Sequence, residues 1–280
     1  MTSGVVCRKG PGTQNRLGPS WAPLPQSPGG VDDGDALCLG VAVDSLGTIL
    51  AVWAHPDDEA YLCAGLLALA VQDGRRAAVV TATRGEAGSW DEERWPPASM
   101  GQLRTEEMAS SLAVLAVTEH YWLDYIDGTC DLVDNAEATA KVAAIITDVQ
   151  PDTVLTFGPE GQTGHPDHLA VHRWTTTAFE QAAPSGARLH FSVVPAGPIE
   201  EQIDWLREIN VFDANSPVIA PVDELSINLA LTPELMELKT KALEAHASQF
   251  GPLVANHPKL ADFMIEFNRH ETFVLAATKP

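Results

Sequence analysis

The chain is poor in basic residues, and this scarcity excludes certain partners. Of its 280 residues only 17 are Lys or Arg, against 38 that are Asp or Glu, which gives a formal net charge of −21. Phosphate backbones and anionic lipid headgroups repel such a chain, so we expect no nucleic acid and no membrane surface among its partners. Hydrophobic residues still make up 45% of the sequence, which is enough to bury a core.

Long apolar runs and clustered cysteines are also missing. No run of about 18 apolar residues is present, so we expect no membrane-spanning helix. The first residues of the chain lack the continuous apolar segment of a secretory signal. The four cysteines are far apart and form no C-x-x-C pair, which argues against a disulfide framework and a cysteine zinc site. These absences predict a cytoplasmic protein.

The remaining sequence alternates between strand and helix patterns. Residues 1–45 are rich in Gly and Pro and lack periodicity, so we interpret them as an N-terminal extension before a single domain at 46–280. Apolar runs predict buried strands, and longer periodic segments predict helices; the main ones are strands at 48–54, 77–83 and 153–157 and helices at 59–73, 100–117, 136–149, 165–182 and 233–248. This order predicts an α/β, Rossmann-like fold with a mainly parallel sheet and helices on both faces.

Two loops after predicted strands carry histidines and acids. One contains His55 and Asp58, and the other contains His165 and His168; each pair is three residues apart, so its members can face one point. The carboxyl ends of parallel strands are where such folds place their chemistry. Two imidazoles and one carboxylate form a recurrent zinc set that leaves one position open. His55, Asp58 and His168 provide such a set.

The other polar residues of the two loops have natural roles around a metal. Asp57 is a spare carboxylate suited to deprotonating water. His165 is a spare imidazole suited to stabilising an oxyanion, and Asp167 is expected to orient it by accepting a hydrogen bond. Glu59 is interpreted as a first-turn acid that favours the helix dipole.

Two alternatives stand beside this interpretation. Asp57 and Asp58 occupy positions where acids often act as helix N-caps. His165, His168 and His172 are spaced three and four apart and form a rival metal set within one helix. The rival set ignores the first loop, so we rank it lower.

The paired motifs resemble the PIG-L/LmbE-type zinc deacetylases. The resemblance covers roughly residues 48–277 and rests on two motifs, His55-Pro56-Asp57-Asp58-Glu59 and His165-Pro166-Asp167-His168. Four weaker similarities support it: Thr83–Gly88, Arg104-x-x-Glu107, Asp127-Gly128 and His246-x-Ser248-Gln249.

This resemblance implies a zinc-dependent N-deacetylase, with Fe²⁺ as an alternative metal. Its partner would be a small-molecule N-acetylated sugar, an N-acetylglucosamine-like part of a glycoconjugate or specialised metabolite. The implied roles are metal binding by His55, Asp58 and His168, catalysis by Asp57, His165 and Asp167, and sugar binding by Arg104 and Asp127.

Two other activities remain as alternatives. One is an amidase that cleaves a thiol–sugar conjugate. The other is nucleotide binding without hydrolysis, which the sequence disfavours because the loop Thr83–Gly88 lacks the first glycine of G-x-G-x-x-G. Thr163 stands where some thiol-pathway members of the family carry Tyr, which counts against the mycothiol pathway.

Overall fold

The structure, a computed structural model, describes residues 43–209, 211–212, 217–256 and 268–280. Its strands are β1 (Ile49–Trp53), β2 (Ala77–Thr83), β3 (Glu119–Tyr125), β4 (Thr153–Phe157), β5 (Arg188–Ser192), β6 (Val194–Pro195), β7 (Ile219–Ala220), β8 (Ile227–Ala230) and β9 (His270–Thr278). Its α-helices are α1 (Asp58–Leu62), α2 (Ala64–Gln72), α3 (Pro97–Val114), α4 (Asn135–Val149), α5 (Pro166–Ala182), α6 (Ile203–Glu208), α7 (Pro233–Ala245) and α8 (Ala247–Asn256). The predicted extension at 1–45 lies almost wholly outside the described residues and stays a prediction.

Seven strands form one sheet in the order β3-β2-β1-β4-β5-β9-β8. The first five are parallel, whereas β9 is antiparallel to both β5 and β8. Every residue of β1, β2 and β4 is buried, as expected of strands covered on both faces. The predicted α/β fold with a mainly parallel sheet is therefore confirmed.

The helices pack in two groups. In one group α4 packs against α5, and in the other both α2 and α3 pack against α7. In the core, the ring of Trp53 at the end of β1 meets Phe157 of β4 edge-on, with centroids 4.8 Å apart. This contact fixes the ends of the two central strands, from which both polar loops depart. Among the described residues, no helix is both long and apolar enough to cross a membrane.

The helix predicted at 59–73 is two helices. The chain leaves helical geometry at Cys63, whose φ is −148°, and restarts as α2. The buried carboxylate of Glu271 accepts hydrogen bonds from the backbone N–H groups of Gly65 and Leu66, both at 2.8 Å. A carboxylate at a helix N-terminus satisfies unpaired donors and complements the dipole. The break is thus stabilised by a strand residue distant in sequence, which local patterns do not reveal.

The helix predicted at 233–248 also divides into α7 and α8. His246 lies between the two helices, fully buried, with a ψ of 55° that interrupts the helical path. Its side chain takes part in a buried ion pair described below, so a tertiary contact coincides with this break as well.

Candidate active site

The two polar loops meet at the carboxyl edge of the sheet. β1 and β4 are adjacent and parallel, and the strand order reverses between them. In open α/β sheets this reversal creates a crevice where ligands bind. His55, after β1, lies with its Nδ1 3.1 Å from Nε2 of His168, after β4. The predicted convergence of the loops is confirmed.

His168 presents one nitrogen to this crevice with its lone pair free. Its Nδ1 lies 2.8 Å from the carbonyl oxygen of Gly161, which only accepts, so Nδ1 carries the proton. Phe157 stacks on the ring at a centroid distance of 4.0 Å. Burial lowers the pKa of His168 well below its usual value, and the neighbouring histidines lower it further. His168 is therefore a neutral imidazole with Nε2 as an acceptor.

His55 is held by two carboxylates on its far side. Its Nε2 lies 3.1 Å from Oδ1 of Asp127 and 3.2 Å from Oδ2 of Asp167. Burial alone would lower the pKa of His55, but hydrogen bonds to these two carboxylates raise it to about 10. Because Nε2 donates to the carboxylates, the neutral ring presents Nδ1 to the crevice as an acceptor.

Asp58 completes a cluster of three potential ligands. Its Oδ2 accepts hydrogen bonds from the backbone N–H groups of Ala54 at 3.2 Å and His55 at 2.8 Å. The carboxylate lies 3.6 Å from Nε2 of His168 through Oδ1 and 3.9 Å from Nδ1 of His55 through Oδ2. A tetrahedral zinc ion with bonds of 2.0–2.1 Å holds its ligand atoms about 3.4 Å apart. The nitrogen–nitrogen separation of 3.1 Å lies close to that value, whereas the two distances to Asp58 run through different carboxylate oxygens.

The facing nitrogens of His55 and His168 can share either a proton or a metal cation, and the raised pKa of His55 favours the proton when no metal is bound. With both far nitrogens protonated, the two near nitrogens are acceptors separated by 3.1 Å, so they have no proton to share in their neutral forms. The adjacent carboxylate of Asp58 adds negative charge at the same point. This donor set fits a divalent metal.

Two further groups of side chains bring potential ligand atoms within 4.8 Å of one another. One group joins His165 to His55 and His168, and the other joins His55 to Asp127 and Asp167. The second group lies on the far nitrogen of His55, where the carboxylates already accept hydrogen bonds. The first contains no carboxylate to balance the charge of a dication.

Asp57 stands beside the cluster in a strained backbone conformation. Its φ is 118°, in the region that non-glycine residues seldom adopt, and its side chain is 18% exposed. Asp57 occupies the N-cap position of α1 but makes no capping hydrogen bond with its side chain. Burial raises the pKa of its carboxyl group, and the charge of Arg104 opposes this. A partly exposed carboxylate with a raised pKa suits a general base.

Arg104 lies beneath the loops, with only 4% of its side chain exposed. Its guanidinium group donates to the carbonyl oxygens of Pro56 and Gly85 and lies 3.3 Å from Oδ2 of Asp57. Gly85 has a φ of +63°, and a Cβ there would lie 2.0 Å from the guanidinium. The glycine therefore makes room for the arginine. The predicted contact of Arg104 with sugar stays a prediction.

Asp127 also contacts the site, through His55, from the loop that follows a strand of the same sheet. It follows β3, and its second oxygen, Oδ2, accepts from the backbone N–H of Ala87 at 3.0 Å. Its side chain is 8% exposed. Asp127 thus links the loop after β2 to His55, and its predicted role in sugar binding stays a prediction.

Asp167 has a different partner from the one expected. Its buried carboxylate contacts His55 and accepts from the backbone N–H groups of Gly128 at 2.8 Å and Cys130 at 3.0 Å. Between Asp167 and His165, the hydrogen bond runs from the Asp167 backbone N–H to Nδ1 of His165, at 3.2 Å. The short backbone connection places Asp167 inward and His165 outward. His165 in its neutral form therefore keeps its proton on Nε2, as an oxyanion donor requires.

The rival histidine set does not assemble. His172 turns its Nδ1 toward the carbonyl oxygen of Phe157, at 2.9 Å, and its ring contacts Phe191. The hydroxyl oxygen of Thr163 lies 3.3 Å from Nδ1 of His168.

The prediction from sequence missed the role of Glu59. Its fully buried carboxylate accepts hydrogen bonds from Ser111 Oγ at 2.7 Å and from the backbone N–H of Asp57 at 3.0 Å, and pairs with His246 Nε2 at 2.8 Å. Burial would raise the pKa of Glu59, but the charge of His246 lowers it overall. The late His-x-Ser-Gln motif was the only signal in the sequence for this partner.

Known proteins with similar sequences include deacetylases, and solved structures with a similar fold include both deacetylases and a hydratase. The family described as GlcNAc-PI de-N-acetylase (PIG-L) matches residues 50–179. A 1D-myo-inositol 2-acetamido-2-deoxy-alpha-D-glucopyranoside deacetylase from Mycobacterium sp. is 31% identical over 72% of this chain and 74% of its own length. A protein of the same name from Acidothermus cellulolyticus is 31% identical, over 74% of this chain and 82% of its own. Among solved structures, the N,N'-diacetylchitobiose deacetylase from Pyrococcus horikoshii has a TM-score of 0.58 at 23% identity, covering 82% of this chain and 83% of that one.

Proposed function

The chain belongs to the GlcNAc-PI de-N-acetylase (PIG-L) family, and we propose that it is a metal-dependent hydrolase that removes acetyl from an N-acetylglucosamine-like sugar. The observation that carries this proposal is the cluster of His55, Asp58 and His168 within 3.9 Å of one another, beside Asp57. Two relatives share the named activity on an N-acetylated glucosaminyl-inositol. We take that compound as the model for the substrate class. The named activity of these relatives is given more weight than Thr163, which counts against the mycothiol pathway.

We propose that the cluster holds zinc, with Fe²⁺ as an alternative. His55 and His168 would bind through their near nitrogens and Asp58 through its carboxylate, in keeping with the tautomers that their far-side hydrogen bonds select. Zinc bound by three protein ligands supplies Lewis-acid activation of water and of an amide oxygen.

Asp57 is proposed to transfer the protons, and His165 is proposed to stabilise the oxyanion. Water attacks the acetyl carbonyl carbon while Asp57 takes one of its protons. His165 donates a hydrogen bond from Nε2 to the carbonyl oxygen as negative charge develops there. Asp57 then returns the proton to the nitrogen as the C–N bond breaks, and acetate and a free amine leave.

Asp127 and Asp167 are proposed to act through His55. Both accept from its Nε2–H, which orients the ring and increases the basicity of Nδ1. This arrangement is common for metal-binding histidines, and outer partners of this kind contribute about 10–100-fold to metal affinity or activity. Arg104 is proposed to hold Asp57 in place through its contact at 3.3 Å.

The test is product analysis with a metal-loaded protein. N-acetylglucosaminyl-inositol and N-acetylglucosamine are each offered together with analogues that carry larger N-acyl groups. We expect equal amounts of acetate and amine, loss of turnover after chelation, and recovery with zinc. Preferential cleavage of a larger acyl group would instead identify an amidase, and turnover that survives complete metal removal would contradict the proposal.

A further inference from the structure

The strained backbone of Asp57 requires an external restraint. A φ of 118° costs a non-glycine residue free energy, and such conformations persist only when their surroundings fix them. The carbonyl oxygen of Asp57 accepts from the N–H groups of Ala60 at 2.9 Å and Tyr61 at 3.0 Å, which begins α1. Its own N–H points to the carboxylate of Glu59, two residues ahead, at 3.0 Å. Both sides of this residue are therefore held.

The Glu59 carboxylate is itself positioned by distant elements. Ser111 on α3 donates to its Oε1 at 2.7 Å, and His246, after α7, lies 2.8 Å from the same oxygen. Glu59 and His246 are both completely buried. Isolated charges at such positions would be unstable, so the two residues depend on each other.

The geometry points to Glu59 and His246 as a positioning pair for Asp57. We propose that His246 fixes the Glu59 carboxylate, which holds the Asp57 backbone in the conformation that places its side chain beside the metal ligands. Neither residue contacts substrate. The inference rests on the proposed function for its kinetic consequences but not for its structural ones.

The kinetic test compares substitutions of His246 in the zinc-loaded, full-length chain. His246→Leu removes the donor to Glu59, and we expect kcat to fall about 100-fold, the usual effect of misplacing a catalytic group by about 1 Å. KM should change less than about twofold, because substrate binding is retained. His246→Gln keeps an N–H donor and should recover at least about tenfold of the loss. Zinc content should equal that of the unmodified chain in both variants.

A matched control separates this role from a general packing defect. His190 on β5 is also a buried histidine, with its Nδ1 2.9 Å from Ser226 Oγ, and it contacts no residue of the positioning pair. His190→Gln should keep the unmodified kcat. A kcat for His246→Leu equal to that of the unmodified chain, or a loss confined to KM or zinc content, would overturn the proposal.

A second measurement does not depend on activity. Glycine adopts positive φ without cost, so Asp57→Gly should melt about 3 °C above Asp57→Ala in the unmodified background. When His246→Leu is also present, the restraint through Glu59 is lost and the difference should shrink below about 1 °C. If His246→Leu does not fold, Ser111→Ala provides the weakened background and an intermediate difference is expected. If the melting-temperature difference between Asp57→Gly and Asp57→Ala is unchanged in either background, the positioning role of Glu59 and His246 is refuted, whether or not the chain is a deacetylase. If the melting temperatures behave as expected but the chain is inactive, only the proposed function is refuted.

Discussion

His168 illustrates how a hydrogen bond on one side of a residue determines its chemistry on the other. The Gly161 carbonyl fixes the proton on Nδ1, which leaves Nε2 to face His55 and Asp58. His172, one helical turn later, has a comparable hydrogen bond but faces the backbone of β4. Their spacing in the sequence makes the two histidines equally suitable as metal ligands. Only the directions of their side chains in the fold distinguish them.

Substitution of these two histidines distinguishes the metal sets. We expect His168→Gln to lower zinc affinity about 100-fold or more, because it removes an imidazole ligand. His172→Gln is the matched control and should retain full zinc content, measured by elemental analysis after dialysis. Equal zinc loss in both variants would instead support the set formed by His165, His168 and His172.

Alanine substitutions at Gly85 and Gly74 distinguish the cost of backbone strain from the cost of a steric clash. Both have positive φ, at +63° and +72°, but only Gly85 has a neighbour in the space of a new Cβ, namely Arg104. Gly74→Ala should lower the free energy of unfolding by about 1 kcal/mol, the cost of the left-handed conformation, with unchanged kcat. Gly85→Ala should cost more and also lower kcat, because Arg104 is displaced from Asp57. Urea unfolding and steady-state kinetics measure both effects, and identical behaviour of the two variants would contradict this account of Arg104.

At the scale of elements, a buried ion pair connects α7, β9 and the start of α2. Lys239 Nζ lies 2.9 Å from Glu271 Oε1 and donates to the carbonyl oxygen of Tyr61 at 2.7 Å. Glu271 also caps α2 through the N–H groups of Gly65 and Leu66. One side-chain pair therefore holds the junction between α1 and α2 in place.

Removing one member of this pair should be costly. Lys239→Met leaves Glu271 as an uncompensated buried charge, and we expect the free energy of unfolding to fall by about 3–5 kcal/mol. Lys241 forms an exposed pair with Glu237 on the same helix, so Lys241→Met should change stability by less than about 0.5 kcal/mol. Denaturant titration of both variants is the measurement. A similar small change in both would show that the buried pair does not stabilise the junction.

The strands were more predictable than the helix boundaries for a physical reason. β1, β2 and β4 are almost continuous apolar segments, because a strand that is buried on both faces favours apolar residues at every position. The break at Cys63 depends on Glu271, which is 206 and 205 positions from the Gly65 and Leu66 N–H groups that it accepts from, so no local pattern reveals it. The same holds at the site: residue types and spacing predicted the meeting of His55 and His168, but not that Asp167 would contact His55.

At the scale of the whole molecule, two histidines outside the site, the half-buried His120 and the buried His190, make stability dependent on pH. Burial lowers the pKa of both His120 and His190 to about 4, and the charge of Arg188 contributes at His190. The unfolded chain, with an ordinary histidine pKa near 6.5, binds more protons than the folded chain between about pH 6.5 and 4. Stability should therefore fall as the pH is lowered through this window, by at most about 3 kcal/mol per histidine.

The contribution of these histidines is tested by replacing both with glutamine. His120→Gln combined with His190→Gln should flatten the dependence of unfolding free energy on pH between about 4 and 6.5. Urea titrations at several pH values give the slope. An unchanged slope in the double variant would assign the effect to other groups.

The large negative charge of the chain is mostly unrelated to its chemistry. Of the 38 acidic residues, those that surround the site are Asp57, Asp58, Glu59, Asp127 and Asp167. These five are positioned by backbone N–H groups, histidines or Arg104 and not by bulk charge. The chemistry of the site consequently depends on the geometry of two loops.

The most direct test of that account is the rate of acetate release by Asp57→Asn at full zinc content. The substitution keeps the shape of the side chain and removes the base. The account predicts acetate and amine in equal amounts from the unmodified chain, with N-acetylglucosaminyl-inositol as substrate, and a fall of at least about 100-fold in kcat for the variant, with unchanged zinc binding. Equal rates for the two proteins would contradict it.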